Sequence, residues 1–177
     1  MKKIVVKLND KSINDAIKLL TDYKNSLAKR TDRLVNNLAD KGKEFAIDYV
    51  ERAAYFSHTG ITEGIEAVHM ESGRALVKST APHSMYFEFG TGFVGKEAPH
   101  HPLVNEFEWQ YDINNHGTAG WWYPTDESDG NPYKWTDPQG QLRAWTAGMP
   151  SRPFMYYTAR YLEDVAEEEA KGVFRFD

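Results

Sequence analysis

The chain has 177 residues, a length that suits one domain large enough to bury its own core. Its aromatic share of 14 % is high, which argues against a disordered chain. The sequence contains no cysteine; this excludes disulfides, thiol catalysis and cysteine-based zinc or iron–sulfur sites, and it fits assembly in the cytoplasm. Residues 4–6 are the only apolar run near the start, so we expect no signal peptide, and no run is long enough for a membrane span.

The net charge of −5 conceals an uneven distribution along the chain. Residues 1–55 carry 12 Lys and Arg against 8 Asp and Glu, giving +4, whereas the remaining residues carry 9 against 18, giving −9. Such a bipolar molecule is poorly suited to wrapping nucleic acid and better suited to contact with copies of itself. The alternative is that these charges form ordinary solvated faces.

Residues 10–54 predict a long amphipathic helix, after a short β-rich stretch at residues 4–8 that predicts an edge strand. Asn9, Asp10 or Ser12 can cap the helix. Its apolar residues recur mostly at intervals of three, four or seven: Ile13, Ala16, Ile17, Leu20, Tyr23, Leu27, Leu34, Leu38, Phe45, Tyr49 and Ala53. Gly42 is the one weak point, and the polar residues 29–37 mark the place where the helix could break or bend. A helix that outruns its own domain suggests assembly.

Residues 65–70 and 74–79 flank Glu71-Ser72-Gly73, and this arrangement predicts a β-hairpin. Residues 86–89, which are apolar apart from Glu88, predict the next strand of the same sheet, and Gly90 and Gly92 then suit a sharp turn or a close approach of another segment. Pro153 can seat the first turn of a C-terminal helix. The predicted fold class is α+β, in a single domain of residues 1–177: a long N-terminal helix packed on a small antiparallel sheet, with a C-terminal helix.

Residues 93–148 differ from the rest and predict a long, ordered insertion. They are rich in turn signals and hold all five tryptophans of the chain: Trp109, Trp121, Trp122, Trp135 and Trp145. The last four are candidate partner-contact aromatics. Such rings more often form a local core or a subunit interface than a platform for stacking sugars or bases, and carbohydrate binding is the alternative.

Glu88 is the most conspicuous charged residue, because it stands between two phenylalanines, where a carboxylate is costly unless it is paired. Arg152 is the candidate partner. Acid–base catalysis by Glu88, or by Glu63 with Glu66, is the enzymatic alternative, but nothing in the spacing brings two carboxylates together. We therefore predict no catalytic residue.

Metal sites find equally little support. His100 and His101 are adjacent in a predicted loop, which favours two solvent-exposed histidines over a metal site. Residues 126–131 faintly resemble a calcium loop but lack its alternating acids and closing glutamate, so turn chemistry is preferred. No phosphate-binding loop or dinucleotide fingerprint is present. We therefore predict no metal and no cofactor.

Three short elements in order carry a resemblance. Thr59-Gly60-Ile61-Thr62-Glu63-Gly64-Ile65 looks like "Thr-Gly-x-Leu-x-x-Ser-Ile", one position shorter and with Gly64 where a serine is usual. Met85-Tyr86-Phe87-Glu88-Phe89-Gly90-Thr91 resembles "Tyr-x-Val-Glu-Phe-Gly-Thr", and Pro150-Ser151-Arg152-Pro153-Phe154-Met155 resembles "Pro-Ala-Arg-Pro-Phe-Leu" before a last helix. A long helix followed by these elements is similar to the putative tail-component family of siphophages, also called head–tail joining, tail-completion or neck proteins.

The resemblance implies a non-enzymatic phage or prophage protein of α+β fold at the head–tail junction or the tail end. It would assemble in the host cytoplasm as a homo-oligomeric ring, enter the virion, and contact connector or head-completion proteins, or tail-tube and tail-terminator proteins. The motif residues are then fold or interface determinants: Gly60, Glu88, Phe89, Gly90, Thr91, Arg152, Pro153 and Phe154. Residues 93–148 are much longer than the loop usual in that family.

Overall fold

The computed structural model describes Lys7 and residues 9–53 and 59–175, so the predicted edge strand at residues 4–8 lies almost wholly outside the described residues. The first element is the long helix α1 (Asp10–Ala53). The Asn9 side chain caps it, because its Oδ1 accepts the N–H of Ser12 over 2.9 Å. The prediction of a long N-terminal helix is confirmed, and the helix continues without a break through the polar residues 29–37.

A short helix α2 (Thr59–Glu63) leads into the predicted hairpin, which consists of the antiparallel strands β1 (Ile65–His69) and β2 (Ala75–Ser79). The left-handed backbone of Ser72 and Gly73, with φ of 65° and 70°, forms the turn. The Gly73 N–H donates to the Asp32 carboxylate over 2.6 Å, which ties the turn to α1. The predicted hairpin is confirmed.

The C-terminal helix α5 (Phe154–Val173) packs on the second half of α1, and the hairpin packs beside them. Gly42 lies where the three elements meet: a Cβ built on it would be 2.9 Å from Val77 and 3.0 Å from Leu162. The residue that appeared to weaken the helix therefore permits its closest packing. The hydrophobic core lies against the second half of α1 and consists of Ala46, Val50, Ile61, Ile65, Phe87 and Phe154.

The predicted strand at residues 86–89 is wrong, because these residues belong to helix α3 (Ser84–Phe89). Phe87, Glu88 and Phe89 are all buried in succession. A half-buried strand would expose the middle one, whereas a short helix between two packed layers buries all three. Apolar runs this short do not distinguish helix from strand by periodicity.

The insertion contains more regular structure than its sequence predicts. After helix α4 (Gly92–Glu97) come strands β3 (Trp121–Pro124), β4 (Lys134–Thr136) and β5 (Leu142–Thr146), which form a second antiparallel sheet in the order β3-β5-β4. A turn at residues 137–140 joins β4 to β5, with the Asp137 carboxylate accepting the N–H groups of Gln139 and Gln141.

The two-residue strand β6 (Gly148–Met149) closes the insertion and leads to α5. The described residues thus form two small antiparallel sheets, whereas the sequence predicts one, and the α+β fold class is confirmed. Among the described helices, none has the length and apolar character needed to cross a membrane.

Candidate functional site

The side chain of Glu88 joins three parts of the chain at one buried point. Its Oε1 accepts a hydrogen bond from His101 Nε2 over 2.9 Å and from the N–H of Tyr156 over 2.9 Å. Its Oε2 accepts the N–H of Met155 over 2.9 Å. The residue is only 6 % exposed, so these bonds take the place of the water that the carboxylate lost on folding. We call this group of residues the Glu88 junction.

The local sequence of α5 explains why a distant carboxylate is needed there. The N-cap position is Pro153, whose side chain has no oxygen with which to accept the free N–H groups of the first turn. Met155 and Tyr156 occupy the second and third positions of the helix, whose N–H groups an N-cap side chain normally binds. Glu88 therefore caps α5 from 67 positions upstream, and its negative charge also suits the positive end of the helix dipole.

His101 is the histidine of the junction, and the structure corrects its predicted exposure. It is only 3 % exposed, while His100 beside it is exposed. The Leu103 N–H donates to His101 Nδ1 over 3.0 Å, so Nδ1 is an acceptor and the proton lies on Nε2, facing Glu88. His101 is therefore placed as a neutral donor that anchors the insertion to Glu88.

The prediction that Glu88 pairs with Arg152 is corrected as well. Among the described residues, the side chain that binds the Glu88 carboxylate is the neutral imidazole of His101, through a hydrogen bond of 2.9 Å. The guanidinium of Arg152 lies 5.2 Å from the centre of the Phe87 ring. The main-chain N–H of Arg152 donates to the Phe87 carbonyl over 2.9 Å. Ser151 Oγ donates to the Glu88 carbonyl over 2.6 Å. The two predicted motif stretches do lie side by side, but backbone and helix-end contacts hold them together.

Two glycines allow this close approach. Gly90 has a φ of 82°, and a Cβ built on it would be 2.7 Å from the Ser151 nitrogen. Gly148 has a φ of 103°, and its Cβ would be 1.9 Å from the Thr91 carbonyl oxygen. Thr91 pairs with Met149 in an isolated antiparallel bridge. The glycines thus stand where the insertion leaves α3 and where it returns, next to each other.

Phe154 and Phe89 link the Glu88 junction to two different hydrophobic clusters. Phe154 is fully buried and meets Phe87 edge-on in the main core, with ring centres 5.9 Å apart. Phe89 stacks on Trp109 at 5.1 Å, and the Trp109 indole N–H donates to the Gly90 carbonyl over 2.9 Å. The junction therefore lies between the main core and a satellite core of the insertion.

The first motif element contributes less to this site. Gly60 lies in α2, and a Cβ built on it would meet nothing within 4 Å, so its packing does not require glycine. Gly64, in contrast, lies against Ala81, whose nitrogen would be 2.7 Å from an added Cβ. The position where the resemblance expects a serine is too crowded here for a side chain.

The four candidate contact tryptophans divide between the two faces of the second sheet. Trp122 and Trp135 lie on one face with Tyr133 and are 45 %, 49 % and 66 % exposed. Trp145 is half-buried on that face and meets Tyr133 edge-on. Trp121 faces the other way, where it stacks on His116 at 4.4 Å and lies over Gly92. We call Trp122, Tyr133, Trp135 and Trp145 the aromatic face.

The Asp137–Arg143 ion pair supports the aromatic face at the β4–β5 turn. Arg143 Nε donates to the Asp137 carboxylate over 2.7 Å. This bond, aided by the N–H groups of Gln141 and Gln139, holds the pKa of Asp137 below its ordinary value. Charge-assisted hydrogen bonds thus stabilise the insertion together with the aromatic contacts.

The chemistry of these residues favours a structural role. The Glu88 carboxylate is buried and already accepts three hydrogen bonds, and its neighbours are backbone amides and a neutral imidazole. Within the described part of the chain, no group of three or more histidine, aspartate or glutamate side chains is placed to hold a metal ion. Comparison of the chain with protein-family models, with curated proteins and with solved structures returned no match.

Proposed function

We propose that this protein is a non-enzymatic structural component of a phage or prophage, acting in head–tail joining or tail completion as a homo-oligomeric ring. The observation that carries the proposal is the Glu88 junction. Two of the three motif elements that resemble the tail-component family meet there, and Glu88 of one caps the helix that begins at Phe154 of the other. If a family signature contains no catalytic residues, we expect its motifs to serve the fold, as these two do at the Glu88 junction.

The shape and charge of the chain also support assembly. Helix α1 has 44 residues, whereas its buried residues, Ala39, Gly42, Ala46 and Val50, all lie in its second half. The first 55 residues carry +4 and the rest −9. Contacts in a ring are heterologous, so a positive surface on one subunit would meet a negative surface on the next.

Native mass spectrometry together with a joining assay tests the proposal. The purified protein is expected to form a closed oligomer with a mass that is a multiple of 20.3 kDa, and to bind isolated phage connectors or tails. A strictly monomeric protein that also fails to join connectors and tails would refute this function.

A second candidate function rests on the aromatic face. Three exposed rings on one sheet face suit stacking on sugar rings. In this second candidate function, the insertion binds a carbohydrate of the host. Retention on host cell-wall glycan that Trp122→Ala with Trp135→Ala abolishes would support this function. Ile113→Ala, which removes an equally exposed apolar side chain elsewhere in the insertion, is the control.

A further inference from the structure

The first half of α1 displays an apolar stripe that remains largely exposed in the single chain. Ile13, Ile17 and Leu20 follow one another at helical spacing and are 40 %, 57 % and 55 % exposed. Leu19, beside them, is 52 % exposed. Large aliphatic side chains on one helix face are costly to leave in water, and a contiguous patch of them is typical of an interaction surface.

Farther along α1 the same stripe is covered by α5. Phe45 stacks on Tyr161 with ring centres 4.5 Å apart, and Tyr49 stacks on Tyr157 at 5.5 Å. The end of α5 reaches only as far as Arg30, whose guanidinium donates to the Arg175 carbonyl. About 20 residues of α1, or about 30 Å of helix, therefore extend past the helix that covers the rest of the stripe.

A complementary surface lies at the other end of the α1–α5 pair. An open groove of about 440 Å³ runs between the two helices, lined by Phe45, Tyr49, Tyr157, Arg160, Tyr161 and Asp164. Tyr157 is 42 % exposed there. The lining of the groove thus consists of four aromatic side chains, one basic side chain and one acidic side chain.

The net charges of the two helical segments that carry these surfaces are opposite. Residues 10–30 carry five Lys and Arg against three Asp, giving +2. Helix α5 carries one Arg and one Lys against five acids, Glu163, Asp164, Glu167, Glu168 and Glu169, giving −3. Opposite charges around apolar contacts steer association and disfavour like-with-like pairing of two α1 helices.

We propose that the projecting half of α1 docks in the aromatic groove of a second copy of this chain. Ile17 and Leu20 insert against Tyr157 and Tyr161 of the neighbour, and the basic residues of α1 lie along the acidic flank of the neighbour's α5. The contact joins two different surfaces, so each copy offers both a helix and a groove, and successive copies can close into a ring. The inference rests on the ring of the proposed function and names the surfaces that build it.

The absence of cysteine allows a direct test by cross-linking. One batch of protein carries Leu20→Cys and another Tyr157→Cys, and the two are mixed with a short bismaleimide. A product of twice 20.3 kDa is expected only in the mixture. Leu20→Cys mixed with Trp135→Cys is the control and is expected to stay uncross-linked. Efficient cross-linking of Leu20→Cys to itself would overturn the proposal, because it would show that two α1 helices pair with each other.

A matched pair of charge variants tests the same contact in solution. Ile17→Asp with Leu20→Asp places two carboxylates on the stripe, and Asn14→Asp with Asn25→Asp adds the same charge about 90–115° around the helix from the stripe. Native mass spectrometry is expected to find the first variant as a 20.3 kDa chain and the second assembled like the wild type. Circular dichroism is expected to be the same for both, since both lie outside the core.

The outcomes separate this inference from the proposed function. If the wild type forms a ring and the variant Ile17→Asp with Leu20→Asp forms the same ring, the docking of α1 is overturned, while the ring of the proposed function stands. A wild-type protein that is monomeric at every concentration would overturn both. Assembly through α1, combined with failure to bind isolated connectors or tails, would refute the phage function and leave the docking contact standing.

Discussion

Glu88 and Tyr156 are 68 positions apart in the chain, yet the N–H of Tyr156 donates to the Glu88 carboxylate over 2.9 Å. The whole insertion lies between them in sequence. His101, inside the insertion, binds the same carboxylate oxygen. One side chain therefore holds the first turn of the C-terminal helix and the base of the insertion in a fixed relation to the core.

Replacing Glu88 by glutamine is expected to destabilise the fold. Glutamine keeps one acceptor oxygen, but its NH₂ group must face an N–H of α5 or the Nε2–H of His101, which are also donors. The unsatisfied donors should cost about 1–3 kcal/mol of unfolding free energy, measured by urea denaturation. Glu97→Gln, at an exposed end of α4, is the control and should change stability little. Equal effects of the two substitutions would show that the Glu88 contacts contribute nothing.

His101→Phe tests whether the insertion depends on its bond to Glu88. Phenylalanine preserves an aromatic ring beside Phe89 but removes both the donor to Glu88 and the acceptor of the Leu103 N–H. We expect a loss of about 2 kcal/mol. The decisive measurement is a double-mutant cycle with Glu88→Gln, in which the coupling free energy should be about 1 kcal/mol. Additive losses would mean that the two side chains act independently.

The long helix, the hairpin and the C-terminal helix could be predicted from sequence because each has a local signal. The apolar stripe of α1, the turn at Ser72 and Gly73, and Pro153 before α5 all act within a few residues of their own position. The α3 helix could not be predicted, because its burial comes from two layers that are distant in sequence.

The hydrogen-bond partners of Glu88 could not be predicted from the sequence for a related reason. Charge alone suggested an arginine, whereas most of the carboxylate's hydrogen bonds come from main-chain N–H groups, which every residue other than proline carries and no pattern marks. One local signal was available: Pro153 at the start of a helix leaves N–H groups that some other side chain must satisfy. The burial of His101 carried no signal, since adjacent histidines before a proline look like an exposed loop.

Gly148 should tolerate no side chain. Its positive φ already disfavours alanine, and a Cβ would lie 1.9 Å from the Thr91 carbonyl oxygen, a backbone atom that cannot move without breaking the bridge beside it. Gly148→Ala is expected to cost about 3–5 kcal/mol. Gly140→Ala is the matched control, because Gly140 also has a positive φ, 82°, but has nothing within 4 Å of an added Cβ. That variant should lose only about 1–2 kcal/mol. Equal losses in thermal denaturation would show that the approach of residues 91 and 148 is not tight.

Asp137→Asn is expected to weaken the insertion in a pH-dependent way. The bond from Arg143, followed by the N–H of Gln141, lowers the pKa of Asp137 in the folded protein from its ordinary value of 3.8. A lowered folded pKa stabilises the fold fully above the ordinary value, and this stabilisation is lost as the pH falls below 3.8 through the lowered value. The wild type should therefore be more stable than Asp137→Asn at pH 7, and the difference should shrink on acidification.

The measurement is urea unfolding of both proteins at a series of pH values, followed by the fluorescence of the tryptophans, all five of which lie in the insertion. Glu71→Gln, at an exposed carboxylate of the β1–β2 turn outside the insertion, is the control. Its stability difference from the wild type should be small throughout. A difference for Asp137→Asn that stays constant down to acidic pH would mean that the charge of Asp137 is not what matters. In that case the turn would depend on a hydrogen-bond geometry that asparagine does not reproduce.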